Sequence, residues 1–167
     1  DEQPTLALTL RHSAEEIARF PRIIDQLDWR KEMVLEALAK NNFDVKSLSA
    51  VIGRGGLIKP IESGVYEVNA AVNAQREHAS NLGGLIAEQI AQAAGVKAYI
   101  ADPVVVDELD DIARLSGIPE CPRISIFHAL NQKAIARRHA EKVGKRYEDL
   151  NLVVAHMGGG ISVSAHC

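Results

Sequence analysis

Short apolar runs suited to strands alternate along this chain with longer segments of helical period, and glycine or proline stands at nearly every change between them. That alternation is the strongest constraint on the fold, because it selects an α/β class over an all-helical or all-strand one. Leu6–Leu10 alternates and reads as a strand, followed by a capping box from Ser13 to Glu16 and a break at Pro21. A helix carrying Ile24, Leu27, Val34, Leu35 and Leu38 ends at Asn41-Asn42. Leu48–Ile52 is a strand stopped by Gly53-Arg54-Gly55-Gly56, and Pro60–Gly64 is loop. Asn69 caps a short helix, and a better-patterned helix runs from Asn81 with Gly95 just past its end. Val96–Ala101 is a strand closed by Asp102-Pro103, and Asp107–Leu115 is a short helix. Ile126–Val143 is a long helix, with Phe127, Leu130, Ala134 and Val143 in its buried stripe and Gly144 past its end. Leu150–Ala155 and Ile161–Ala165 then form a hairpin around Gly158-Gly159-Gly160.

Composition narrows the function classes. With 19 basic and 22 acidic residues and a formal charge of −3, the chain has no general attraction for nucleic acid or an acidic membrane. No apolar run is long enough to span a bilayer. Cys121 and Cys167 make neither a disulfide framework nor a paired zinc site, which fits a reducing, cytoplasmic setting. No repeat or low-complexity segment is present.

Four segments could carry chemistry, each at a strand end or helix start. Arg54 among its glycines offers a planar fork of donors for a carboxylate or phosphate, and is equally a surface arginine in a tight turn. Asp102 could hold a magnesium-bound water, orient a nucleophile or position an arginine, or simply make an Asx turn before Pro103. His128, early in its helix, could donate to a developing phosphoryl charge or serve as an ordinary helix-face histidine. His156 with Gly158, Gly159 and Gly160 is the most specific of the four: three glycines between apolar strands suit an anion nest better than a plain hairpin needs. It is neither a Walker A loop nor a dinucleotide fingerprint. Glu77-His78 lacks a second ligand cluster, so it reads as a helix entry and no metal site is assigned. The four acids of Asp107–Asp111 read as a solvated helix N-terminus.

Five segments together resemble the butyrate kinases of the acetate kinase family: Ala50–Ile61, Glu77–Gly84, Asp102–Glu108, Ser125–Gln132 and Val154–Ser162, in the family's order. The Ala129-Leu-Asn-Gln132 and Met157-Gly-Gly-Gly160 wording resembles the butyrate and branched-chain branch more than the acetate or propionate kinases. The resemblance implies a ribonuclease-H-like, actin-like α/β fold of two lobes, with residues 1–120 in the first and 121–167 opening the second. It implies transfer of the γ-phosphoryl group of ATP, with Mg²⁺, to butyrate. Arg54 would bind carboxylate or phosphoryl oxygen, Asp102 would orient the nucleophile or the Mg²⁺ shell, and His128 would donate in the transition state. His156 and Gly158–Gly160 would form the second phosphate loop. The parent would be a homo-oligomer. Acetate, propionate or a branched acid are alternative substrates, and a non-catalytic ligand-binding homologue is the alternative class.

Departures from the family pattern are also legible. The first strand and phosphate loop do not precede Asp1, and the adenosine pocket does not follow Cys167, so the chain is expected to be an incomplete portion, inactive alone and prone to associate through the hairpin edges. The stretch 69–76 looks shortened, and Ser164 stands where glycine is expected.

Overall fold

A computed structural model describes residues 3–68, 79–158 and 160–167. Asn69, Glu77, His78 and Gly159 lie outside the described residues, and with them the expected helix cap at Asn69, the first two residues of the helix entry and one glycine of the proposed loop. The chain divides into two compact units, one of residues 1–53 and 67–99, the other of 54–66 and 100–167.

In the first unit, α1 (Ala14–Ile17) begins with the expected capping box: Glu16 N–H donates to Ser13 Oγ at 3.1 Å and Ser13 N–H to Glu16 Oε2 at 2.8 Å. After Pro21 a 3-10 turn leads into α2 (Leu27–Lys40), which stops where Asn42 turns to a positive φ of 55°. Strand β1 (Ala50–Gly53) packs on α3 (Leu82–Ala94). The α3 face carrying Leu82, Leu85, Ile90 and Ala91 is buried, and Gly95 ends the helix at φ 76°. Gly53 is required at this contact, because a Cβ there would meet the Gly83 carbonyl oxygen at 2.4 Å.

Leu6–Leu10 forms no strand. Alternation reports one apolar face, and here that face lies beside a helix rather than in a ladder, with Leu8 44% and Leu10 38% exposed. Leu6, Leu8 and Leu10 line a cavity of about 450 Å³ with Val34, Ala37 and Leu38 of α2.

Strands β2 (Val65–Glu67) and β3 (Lys97–Ala101) complete a three-stranded sheet of order β1-β3-β2. The division between the units runs through both of them. β2 was not expected from the sequence; three residues are too few for a periodic signal.

The second unit has Ile100, Val106 and Ala129 fully buried at its centre. Asp107–Leu115 is not the expected helix, since only Asp111–Arg114 makes a 3-10 turn. Asp107 is held elsewhere: its backbone N–H donates to the Ile61 carbonyl, and Arg114 donates to both its carboxylate oxygens at 3.0 Å. Glu108 accepts from Lys133 at 2.8 Å, so half of the acidic run is paired rather than solvated.

The long helix α4 (Ala129–Lys142) starts three residues later than expected, because His128 adopts a left-handed φ of 58° that a helix cannot contain. Its buried face is Ala129, Gln132, Lys133, Ala136 and Ala140, while Ala134 and Val143 are exposed. Antiparallel strands β4 (Leu152–Met157) and β5 (Ile161–His166) make the expected hairpin, with Met157 opposite Ile161 at the tip and Leu152 opposite His166 at the base. Its faces are inverted relative to a plain amphipathic hairpin. Val153, Met157, Ile161 and Val163 are exposed, whereas Ser162 and Ser164 are half-buried and His166 is buried. α4 packs on β4, and the covered face carries Leu152, Val154 and His156 from β4 with the small polar residues of β5.

Candidate active site

Arg54, Asp102, His128 and His156 all fall in the second unit, as do Gly158 and Gly160. His128 and His156 come together most closely. Their rings stack with centroids 4.1 Å apart and planes 11° from parallel. The left-handed backbone of His128 makes this possible: it ends the preceding extended segment, turns the ring to the hairpin, and lets the His128 carbonyl accept the first bonds of α4 from Asn131 and Gln132.

Gly158 and Gly160 lie close to the two rings. A Cβ on Gly158 would stand 3.8 Å from His156 Nε2, and one on Gly160 would stand 3.8 Å from His128 Cε1. Gly158 N–H donates to the Gly160 carbonyl at 3.0 Å and so is already partnered.

Arg54 is exposed and follows directly on β1. Its charge is felt at His128. Burial first, then the positive fields of His156 and Arg54, lower the His128 pKa and favour the neutral imidazole.

Asp102 sits at the end of β3 with φ 37°, a strained conformation for a residue preceding proline. Its Oδ1 accepts from Ser63 Oγ at 2.7 Å and from Gly64 N–H at 2.9 Å, and its own N–H donates to the Gly64 carbonyl. One carboxylate oxygen therefore secures a turn, and Oδ2 makes no hydrogen bond among the described residues. Among the described residues no three His, Cys, Asp or Glu side chains cluster as a metal site.

Behind the histidine pair lies a polar network not anticipated from the sequence. His128 Nδ1 is 2.9 Å from Ser162 Oγ, which donates to the Phe127 carbonyl at 3.0 Å. Gln132 Nε2 donates to Ser162 Oγ at 2.9 Å, and Gln132 Oε1 faces Ser164 Oγ and His166 Nε2. Tyr147 Oη closes the chain 2.6 Å from His166 Nδ1. The available signal was Ser162, Ser164 and His166 at strand period, a polar file on one face of an otherwise apolar strand. Burial first, then Lys133, depresses the His166 pKa, and Glu108 opposes them.

No family model matches the chain. Comparison with known proteins gives close relatives nonetheless. Over 99% of its length the chain is 59% identical to butyrate kinase 1 and 56% identical to butyrate kinase 2 of Clostridium acetobutylicum. It is 54% identical to a probable butyrate kinase of Clostridium botulinum. The chain covers 48% of each, so it spans about half the length of these curated relatives. Among solved structures, an acetate kinase of Porphyromonas gingivalis superposes with a TM-score of 0.57 at 18% identity, covering 80% of this chain and 38% of that one. That likeness bears out the expected α/β, actin-like fold class. Along nearly its whole length, this chain is homologous to about half of a butyrate kinase.

Proposed function

We propose that the protein carrying this chain is a short-chain carboxylate kinase, transferring the γ-phosphoryl group of ATP to butyrate to give butanoyl phosphate and ADP. One observation carries the reading beyond the likeness itself: two stacked imidazoles stand close to Gly158 and Gly160, within the electrostatic reach of an exposed arginine. Such a cluster suits an anion whose charge shifts during transfer, since phosphoryl transfer needs positioning and charge stabilisation more than covalent help.

In this reading Arg54 engages the carboxylate of butyrate or an oxygen of the phosphoryl group. His128 donates to the equatorial oxygens once the incoming anion has raised its proton affinity. His156, Gly158, Gly159 and Gly160 form the loop that receives phosphate. Asp102 uses Oδ2 to orient the nucleophile or a water of the Mg²⁺ shell. A single free carboxylate oxygen suits Mg²⁺, which is commonly held by one or two carboxylates together with substrate phosphates and water. When bound, Mg²⁺ would neutralise charge on the nucleotide phosphates. Residues 1–120 belong to a first lobe and 121–167 to the opening of a second. The intact protein works as a cytoplasmic homo-oligomer with neither nucleic acid nor membrane as partner.

The test is acyl phosphate formation by the intact gene product with MgATP and butyrate, trapped as the hydroxamate. Turnover that Arg54→Ala abolishes supports the reading. Absence of butyrate-dependent ADP release from well-folded protein refutes it. Acetate and propionate assayed in parallel decide the acid, because each methylene is worth about 1–3 kcal/mol of discrimination.

A further inference from the structure

We propose that Ser162, anchored by Gln132, is a positioning residue that locks His128 as its Nδ1–H tautomer and leaves Nε2 as the only ring nitrogen presented to a bound anion. The hydrogen-bond chain has one assignment of protons that satisfies every contact. Ser162 has a single hydroxyl proton, and the Phe127 carbonyl 3.0 Å away can only accept it. Gln132 must present its NH₂ to Ser162, because that group also donates to the Ser162 carbonyl at 3.3 Å. Ser162 Oγ therefore donates once and accepts from Gln132, and the remaining contact requires a proton on His128 Nδ1.

The far end of the chain fixes the same polarity. Gln132 Oε1 accepts from Ser164 Oγ and from His166 Nε2, which leaves His166 Nδ1 to accept from the Tyr147 hydroxyl. The amide of Gln132 is thus held at both ends and cannot turn over. Gln132 is only 1% exposed, so water cannot substitute for its partners.

The consequence lies at the open edge of the His128 ring. In its neutral form Nε2 carries a lone pair and repels an anion. Donation to a phosphate oxygen requires a proton on Nε2, which makes the ring an imidazolium. The groups that set this titration are His156 in the stack and Arg54, both opposing the proton, with the arriving anion favouring it. Around the other end stand Tyr147, Lys133 and Glu108, with Arg137 over the Tyr147 ring. The functional weight of this arrangement rests on the kinase reading above; the tautomer does not.

Long-range ¹H–¹⁵N correlation spectra of the histidine rings test it directly. The intact protein should show His128 protonated at Nδ1 and bare at Nε2 at neutral pH. Ser162→Ala should move the proton to Nε2, and Ser162→Thr should keep it at Nδ1. In the acyl phosphate assay Ser162→Ala should lower kcat by about 10-fold or more with little change in KM for ATP, and Ser162→Thr should restore it. A wild-type proton on Nε2, or a tautomer unchanged in Ser162→Ala, overturns the proposal. If the wild-type protein forms no acyl phosphate but His128 is Nδ1–H, the kinase reading fails and the positioning role stands.

Discussion

Gly53→Ala is the substitution whose cost is most directly fixed by the structure. The new Cβ would lie 2.4 Å from the Gly83 carbonyl oxygen, 2.8 Å from its carbonyl carbon and 2.9 Å from Ala87 Cβ. Ordinary carbon contacts settle near 3.5–4.0 Å, so β1 and α3 must part by roughly 1 Å. Two of the three obstacles are helix backbone, which cannot rotate away as a side chain can. Overpacking of this kind costs about 1–3 kcal/mol. Replacing glycine also restricts the unfolded chain, which returns about 0.4–1 kcal/mol. Taken at the middle of each range, the net loss is about 1.3 kcal/mol, or about 3–5 °C in Tm for a chain of this size. Trp29 is the only tryptophan and lies in the same unit, so its fluorescence during urea unfolding reads the correct region. Gly95→Ala is the comparator: nothing lies within 4 Å of its Cβ, and its penalty comes from a φ of 76° alone. A Gly53→Ala midpoint within about 0.3 kcal/mol of wild type, at unchanged m, would refute the claim that α3 and β1 touch here. Arg54 follows immediately in the chain, so if the kinase reading proposed above holds, the same displacement should also raise the KM for butyrate.

Three other expectations follow from the geometry. Asp102→Asn keeps an oxygen for Ser63 and Gly64 and should unfold like wild type with much reduced turnover, whereas Asp102→Ala loses both bonds and should also lose about 1–3 kcal/mol in a thermal melt. His128 and His166 both have pKa values depressed in the fold, so the unfolded chain binds more protons in the window below the ordinary histidine value. Stability should therefore be full above about pH 6.5 and fall as pH drops through that window, and denaturation midpoints across pH 5–8 that stay flat would contradict it. Lys133 is nearly buried, with Nζ 2.6 Å from Glu108 Oε2, and its charge depresses His166. Lys133→Met removes that charge and should raise the His166 pKa in an NMR titration, and an unchanged His166 titration would contradict the assignment.

The elements with a strong local signal were legible in the sequence. α3 shows helical period and a glycine that must sit left-handed after its last turn; the β4–β5 hairpin shows two apolar runs joined by glycines. Leu6–Leu10 misled because its alternation describes a face and carries no information about a pairing partner. Asp107–Leu115 misled because the acids that looked like a helix start are held by Arg114 and Lys133, residues 7 and 25 positions away. At the site, Arg54, Asp102, His128 and His156 could be picked by residue type, but their mutual arrangement could not. The left-handed turn at His128 has no glycine to announce it. Gln132, Ser162, Ser164 and His166 looked like helix-surface and strand residues, and only the inverted burial of β5 reveals that their polar face is the packed one.

The amide at the centre of the network gives it one further property. From Tyr147 to His128 every link is a hydrogen bond, yet a proton cannot travel the whole way, because Gln132 has no titratable group to take one up and pass it on near neutral pH. The two imidazoles are mechanically joined, with no proton path between them. His166 can change its charge without handing a proton to His128. What crosses the amide is orientation alone, so the network works as a brace.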